Sequence, residues 1–180
     1  TVYYKFILKD YAEYYAEQKM DTFLKENITA EMSDYKKVET IARWLANNFN
    51  YSQYHSGYTG LMLDGGGDCW ANTSAVNYMC EKLGLTVYAR YAANDPGAGS
   101  GHRNSVVIID GERYLVDCGY TGNAPRHYEL SKMDYDYSYE ILNDGTLRLY
   151  QYEGTDRNIV VPDTIDGRKV TVLGNSTFQY

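Results

Sequence analysis

Residues 101–119, GHRNSVVIIDGERYLVDCG, decide the fold. Two strand-like runs, 105–109 (SVVII) and 112–116 (ERYLV), flank Asp110-Gly111. An Asp-Gly pair in that setting predicts a two-residue type I′ hairpin, because both turn positions need positive φ. The turn sets Ile109 opposite Glu112 and, counting outward, Asn104 opposite Asp117 and His102 opposite Gly119. Side chains alternate faces along a strand, so His102, Asn104 and Asp117 share one face. His102 is diagonal to Asp117, roughly 7–8 Å away at the backbone, a span that long side chains close. A one-residue slip would turn His102 to the other face. Taken alone, the stretch reads equally well as a surface hairpin with an incidental histidine and aspartate.

A second stretch, GGGDCW at 65–70, changes the weighing. From Asp68 the chain runs DCWANTSAVNYMCEKLGL, with Trp70, Val76, Met79, Cys80 and Leu83 spaced like a buried helix face and Gly84 as a C-terminal stop. Asp68 can cap the helix by accepting from a first-turn N–H. Cys69 then lies in the first turn, where exposed N–H groups and the helix dipole favour a thiolate. The same amides can hold an oxyanion. The glycines allow backbone or substrate to approach without a Cβ in the way. The Asp68 charge opposes a neighbouring thiolate, and capping is expected to occupy it. Cys69, His102 and Asp117 thus supply a nucleophile, a general base and its orienter. The bland alternative for any cysteine is a buried, inert thiol, and it is applied to Cys80 and Cys118. Cys118 is expected to point away from Asp117 and from the cysteine helix, so no Cys80–Cys118 bridge is expected.

The chain has 180 residues, 44% hydrophobic, enough for one domain or one plus a small module. A net charge of -7 and a pI near 4.9 argue against a nucleic-acid partner. No apolar run reaches the length of a membrane span. The chain opens on Thr1 with neither Met nor signal peptide, which reads as a processed or excised chain. Three cysteines are an odd number, so at least one stays unpaired within the chain. No CxxC or HxxxH spacing suggests zinc, and His55 and His127 read as isolated surface histidines. The 21 tyrosines cluster at 11–15, 51–58 and 128–152. They suit amphipathic packing; for the 51–58 group, beside the cysteine motif, an aromatic groove for a peptide or glycan is the sharper alternative.

Along the chain, residues 2–8 suggest a short strand, and 11–25 and 34–48 helices. The second helix carries a stripe of Val38, Ile41, Ala42 and Leu45 and begins at Ser33-Asp34. Residues 49–67 read as loop, 69–83 as helix and 86–92 as strand. Residues 94–101, NDPGAGSG, form a turn-rich loop that could gate His102. After Tyr120 a wandering segment, 121–138, leads to a second hairpin turning at Asp144-Gly145.

The ordered set of a Trp-bearing helix, a tyrosine-bearing loop, GDCW, a GxH strand and a strand ending in LVD resembles the transglutaminase-like superfamily of papain-type thiol enzymes, from about Tyr35 to Tyr120. The resemblance implies an α+β domain over residues 1–134, with the cysteine helix packed on an antiparallel sheet that carries the histidine and aspartate. It maps the family's triad onto Cys69, His102 and Asp117. The implied reaction is acyl transfer on a peptide or amide. Hydrolysis is slightly favoured over transamidation, deamidation is a third outcome, and no cofactor or metal is called for. Departures bear on substrate and rate: Arg103 and Asn104 follow the histidine, and Arg113-Tyr114 stands where many members have Trp-Tyr. A side-chain oxyanion donor is ambiguous among Tyr51, Gln53 and Tyr54, with Tyr51 preferred. Trp70 and Asn104 are further substrate-site candidates. The competing reading is a non-catalytic module that holds a peptide or cell-wall fragment on the same fold.

Residues 135–180 are expected to form a separate small β module. Val161-Pro162, Ile165–Gly167 and Val170–Phe178 resemble the opening of a BspA-type bacterial surface leucine-rich repeat. One partial repeat cannot bury its own face, so the resemblance implies a parent protein that continues past Tyr180, an extracellular or cell-surface location, and a wall or host-surface protein as the substrate-bearing partner. An ordinary β-hairpin extension is the alternative.

Overall fold

In α1 (Val2–Asn27), Ala16, Met20 and Leu24 recur at helical spacing and are buried. A computed structural model describes residues 2–91, 101–118, 128–133, 137–152, 157–165, 167–175 and 177–178; residues 2–10 and Tyr91 are described as backbone. The strand expected at 2–8 is instead the first turns of α1. Valine, tyrosine and isoleucine favour strands only weakly, and no Gly or Pro separates this run from the helical pattern that follows. The chain divides into two units, residues 1–90 with 103–132 and residues 91–102 with 133–180.

In the first unit, α2 (Asp34–Asn48) has the predicted limits. Ser33 caps it by accepting from the Lys36 N–H at 3.2 Å. Its stripe of Val38, Ile41, Ala42 and Leu45 is buried. The segment expected as loop, 49–67, holds β1 (Asn50–Tyr51), α3 (Tyr58–Asp64) and β2 (Gly66–Gly67), with β1 and β2 paired in parallel. Its glycine punctuation masks a helix of only seven residues. Next come α4 (Cys69–Lys82) and a four-stranded sheet, ordered β3 (Val87–Tyr91), β4 (Arg103–Ile109), β5 (Glu112–Asp117), β6 (Glu129–Lys132). The β4–β5 register is the predicted one, with Ile109 opposite Glu112 and Ser105 opposite Val116. Asp110 and Gly111 take φ 53° and 81°, as a type I′ turn demands. Residues 129–132, expected to wander, pair antiparallel with β5 through Asp117–Glu129 and Val116–Leu130. One core joins α1, α2, α3 and α4 to the face of the sheet bearing Val107, Ile109 and Val116.

The second unit has its own four-stranded sheet, ordered β7 (Tyr137–Ile141), β8 (Leu147–Tyr152), β10 (Arg168–Leu173), β9 (Thr164–Ile165). β7 and β8 form the expected hairpin, with Gly145 at φ 80° and Asp144 accepting from Thr146 N–H and Oγ. β10 runs parallel to β8. Tyr137, Tyr139, Leu147, Leu149, Tyr152 and Ile165 make a separate core. Most of the late tyrosines that the structure describes therefore serve packing. The proposed gating loop at 94–101 lies outside the described residues except for Gly101, and His127 lies outside them entirely.

Candidate active site

The start of α4 is fixed by backbone as much as by side chains. Gly65 ends α3 in the left-handed region at φ 80°. Asn50 N–H then donates to Gly65 O at 2.9 Å and Ser52 N–H to Gly67 O at 3.1 Å, clamping the tyrosine loop beside the glycines. Gly67 has no room for a side chain: a Cβ there would sit 2.5 Å from Ala71 Cβ. His55 O accepts from Asp68 N–H at 2.9 Å. Asp68 caps α4, accepting from Ala71 N–H at 2.9 Å, and its other oxygen takes the Ser56 hydroxyl at 2.5 Å. The carboxylate is occupied as the sequence suggested. Cys69 is the first residue of the helix and is half-buried.

The helix is registered against β4 along its length. Arg103 lies over the Trp70 ring, 4.2 Å from its centroid. One and two turns on, Ser105 Oγ meets Thr73 O at 3.5 Å and the Asn77 amide at 2.8 Å. With its nitrogen turned to Ser105 and Thr73, the Asn77 amide also accepts from Ala89 N–H at 3.2 Å, tying in β3. Cys69 therefore stands level with the start of β4. Strand alternation sends Asn104 to the face opposite Ser105. There Asn104 Nδ2 donates to Asp117 Oδ2 at 3.4 Å, so these two predicted residues do meet. His102 directly precedes β4, follows Gly101 at φ 82°, and is buried at 8% exposure.

The three thiols are not equivalent. Burial pushes Cys80 up to about 12 and Cys118 well above the usual thiol value. Cys118 belongs to the helix-side core and feels Cys80, so the expectation that it faces away from the cysteine helix is wrong. Alternation puts it on the Val116 side, the face that α4 covers. None of the three is in a disulfide.

Other expectations also change. Trp70 is 48% exposed rather than on the buried face, its ring covered on one side by Arg103 while the adjacent Ala71 enters the core. His55 is no isolated surface residue: its Nε2 is 3.3 Å from Asp64 Oδ2, and its ring packs on Gly60 where a Cβ would clash. Tyr58 opens α3 and donates to Glu17 Oε1 at 3.0 Å, a packing role. Tyr51 and Tyr54 are 49% and 83% exposed, and Gln53 is exposed too. Sequence reading missed the Ser56–Asp68, Trp70–Arg103 and Asn77–Ser105 contacts. Polar Asn77 and Ser105 inside apolar periodic runs were the available signal. Among the described residues no group of three or more His, Cys, Asp and Glu could hold a metal ion, and no helix is long and apolar enough to cross a membrane.

No family model and no curated protein matches the chain. A solved transglutaminase is similar, with TM-score 0.50 and 16% identity, over 68% of this chain and 34% of that one. A proposed cysteine protease from Cytophaga hutchinsonii aligns at TM-score 0.45 and 16% identity, over 68% and 53%. The mixed α+β fold is thus similar to that of the transglutaminase. The chain spans about a third of the transglutaminase's length.

Proposed function

We propose that the chain is a thiol acyl-transfer enzyme using Cys69, His102 and Asp117. One observation carries the reading: Cys69, the one cysteine that is not buried, opens a capped helix level with the strand that His102 precedes. Cys69 Sγ attacks an amide carbonyl and its proton passes to the His102 ring. The same proton goes to the leaving amine as the C–N bond breaks, while Asp117 holds the ring in the correct tautomer. Water then attacks the thioester carbon and releases the acid; an amine in its place would give transamidation. Hydrolysis is favoured because water is always at hand. Backbone N–H groups of the first turn of α4 stabilise the oxyanion, with Tyr51, Gln53 or Tyr54 as side-chain donor. The substrate is a peptide or protein.

Iodoacetamide labelling of the native protein across about pH 5 to 9, followed by peptide mass spectrometry, tests this. Cys69 should label well below the ordinary thiol value of about 8.5, with Cys80 and Cys118 unlabelled, and His102→Ala should slow it several-fold. An ordinary Cys69 profile unaffected by His102→Ala would sink the reading. The exposed Trp70, Tyr51 and Tyr54 would then favour the non-catalytic module, which binds peptide or wall fragments without turnover.

For residues 135–180 we infer the start of a leucine-rich-repeat region on a secreted or surface protein. The parallel β8–β10 pairing and the separate core support it. Deletion of 135–180 should leave Cys69 labelling intact; loss of folding of the remainder would count against the boundary at 134.

A further inference from the structure

We propose that Asn104 is a positioning residue of this site, acting through Asp117; the inference rests on the Cys69–His102–Asp117 reading. Asn104 is 2% exposed. Its Nδ2 donates to Asp117 Oδ2 at 3.4 Å, and its Oδ1 is buried with no hydrogen-bond partner among the described residues. The amide cannot turn over, because an ionised carboxylate only accepts and so requires Nδ2. One long bond and one orphaned acceptor make this a poor residue for packing. Its neighbours Ser105, Val106 and Val107 are fully buried, and they are either bonded or apolar. A leucine of similar shape would serve a purely structural role better.

What Asn104 does supply is orientation. Its donor fixes the rotation of the Asp117 carboxylate, the group that on the triad reading orients the His102 ring. Asn104 thereby acts on the base through the carboxylate that holds it. Misplacing an orienting group in this way slows chemistry by roughly tenfold to a hundredfold.

The test pairs Asn104→Leu with Asn104→Asp, reading melting temperature and the pH profile of Cys69 alkylation in the full chain. Asn104→Leu should melt no lower than the native protein. It should label about tenfold more slowly near neutrality, its inflection moved up toward the ordinary thiol value. Asn104→Asp, nearly isosteric, can donate to Asp117 only while protonated, so its deficit should grow as pH rises through its own titration. This variant carries the test should the leucine variant fail to fold. A leucine or aspartate profile that overlays the native one overturns the proposal. So does a folded leucine variant that melts lower yet labels normally. If His102→Ala slows labelling and the Asn104 variants do not, only this inference falls; if His102→Ala has no effect, the triad reading falls first.

Discussion

Gly67→Ala should be among the most damaging small substitutions in the first unit. The new Cβ would lie 2.5 Å from Ala71 Cβ and 3.3 Å from both His55 O and Leu61 Cβ. Carbon atoms rest at about 3.5–4.0 Å, so roughly 1 Å must be found. Ala71 Cβ is rigidly attached to the helix, and Leu61 is fully buried. The strand β2 must therefore move, and it is tied by Ser52 N–H to Gly67 O at 3.1 Å and by Asp68 N–H to His55 O at 2.9 Å. Losing those two bonds costs about 1 kcal/mol each, and overpacking of this kind costs about 1–3 kcal/mol, so a total of about 3–5 kcal/mol is expected. For a chain of this size that is a fall of about 6–20 °C in Tm. Cys69 labelling should slow as well, because Asp68 and the helix start shift with β2. Adding Ala71→Gly removes the opposing methyl. It should recover part of the loss even though glycine costs a helix about 1 kcal/mol. Gly57→Ala is the control: nothing lies within 4 Å of its Cβ and its φ is -131°, so its Tm should stay close to native. A Gly67→Ala protein that melts and labels like the native one would refute the close-packing account of the glycine run.

Asp68 has two separable roles. Asp68→Ala removes the cap and the Ser56 bond and should cost about 0.5–2 kcal/mol in denaturant melts; Asp68→Asn keeps an acceptor for Ala71 N–H and should stay near native stability. Because Asp68→Asn also removes a negative charge beside Cys69, its Cys69 should label faster than native near neutrality; slower labelling would contradict the assigned electrostatics. Glu39 is held down to about 2 by hydrogen bonds from Lys36 and Arg43. Its stabilising effect is thus present above the usual carboxylate value of 4.5 and disappears as pH falls towards 2. The partners are about half exposed, so the contribution is small, about 0.5–1 kcal/mol, and shrinks with salt. Melts at stepped pH should show Glu39→Gln losing less stability than native between 4.5 and 2; equal losses would remove the pair from the account.

The parts legible in the sequence were those set by short-range rules. Asp110-Gly111 needs positive φ at both positions, and that alone fixes the β4–β5 register and the shared face of Asn104 and Asp117. Ser33 and Asp68 announce helix starts because their side chains each bond the amide three residues on. Less legible was whatever depends on distant chain. The parallel β1–β2 pair has only two residues a side, too few to leave a period. Cys118 was assigned correctly relative to Asp117 but wrongly relative to the cysteine helix. The hairpin tells which residues share a face, but not which face α4 covers. Ser105 decides that, through Asn77 and Thr73.

The polar residues buried between α4 and the sheet have an order of their own. Towards the C-terminal half of α4 the buried side chains are Val76, Met79 and Cys80, in one apolar core with Val107, Ile109 and Val116. Towards the N-terminal half Asn72 and Thr73 are buried beside Ala71 and Ala75, with Ser105 facing the helix from the strand and bonding the half-buried Asn77 near its middle. Asn72 Nδ2 bonds Asp68 O at 3.0 Å, so even this amide serves the helix start. Stability alone gives no reason for the gradient, since buried polar groups do best merely to break even with an apolar core. It runs from the inert thiol of Cys80 to the half-buried thiol of Cys69. A side chain placed to react needs fixed dipoles and restrained backbone around it, and these are what the polar end of the helix–strand seam supplies. Exchanging Asn77 and Ser105 together for an apolar pair of matched volume separates the two accounts. Under a purely structural account the exchange leaves Cys69 reactivity unchanged. If the seam positions the thiol, the protein keeps or gains stability and loses the low-pH reactivity of Cys69.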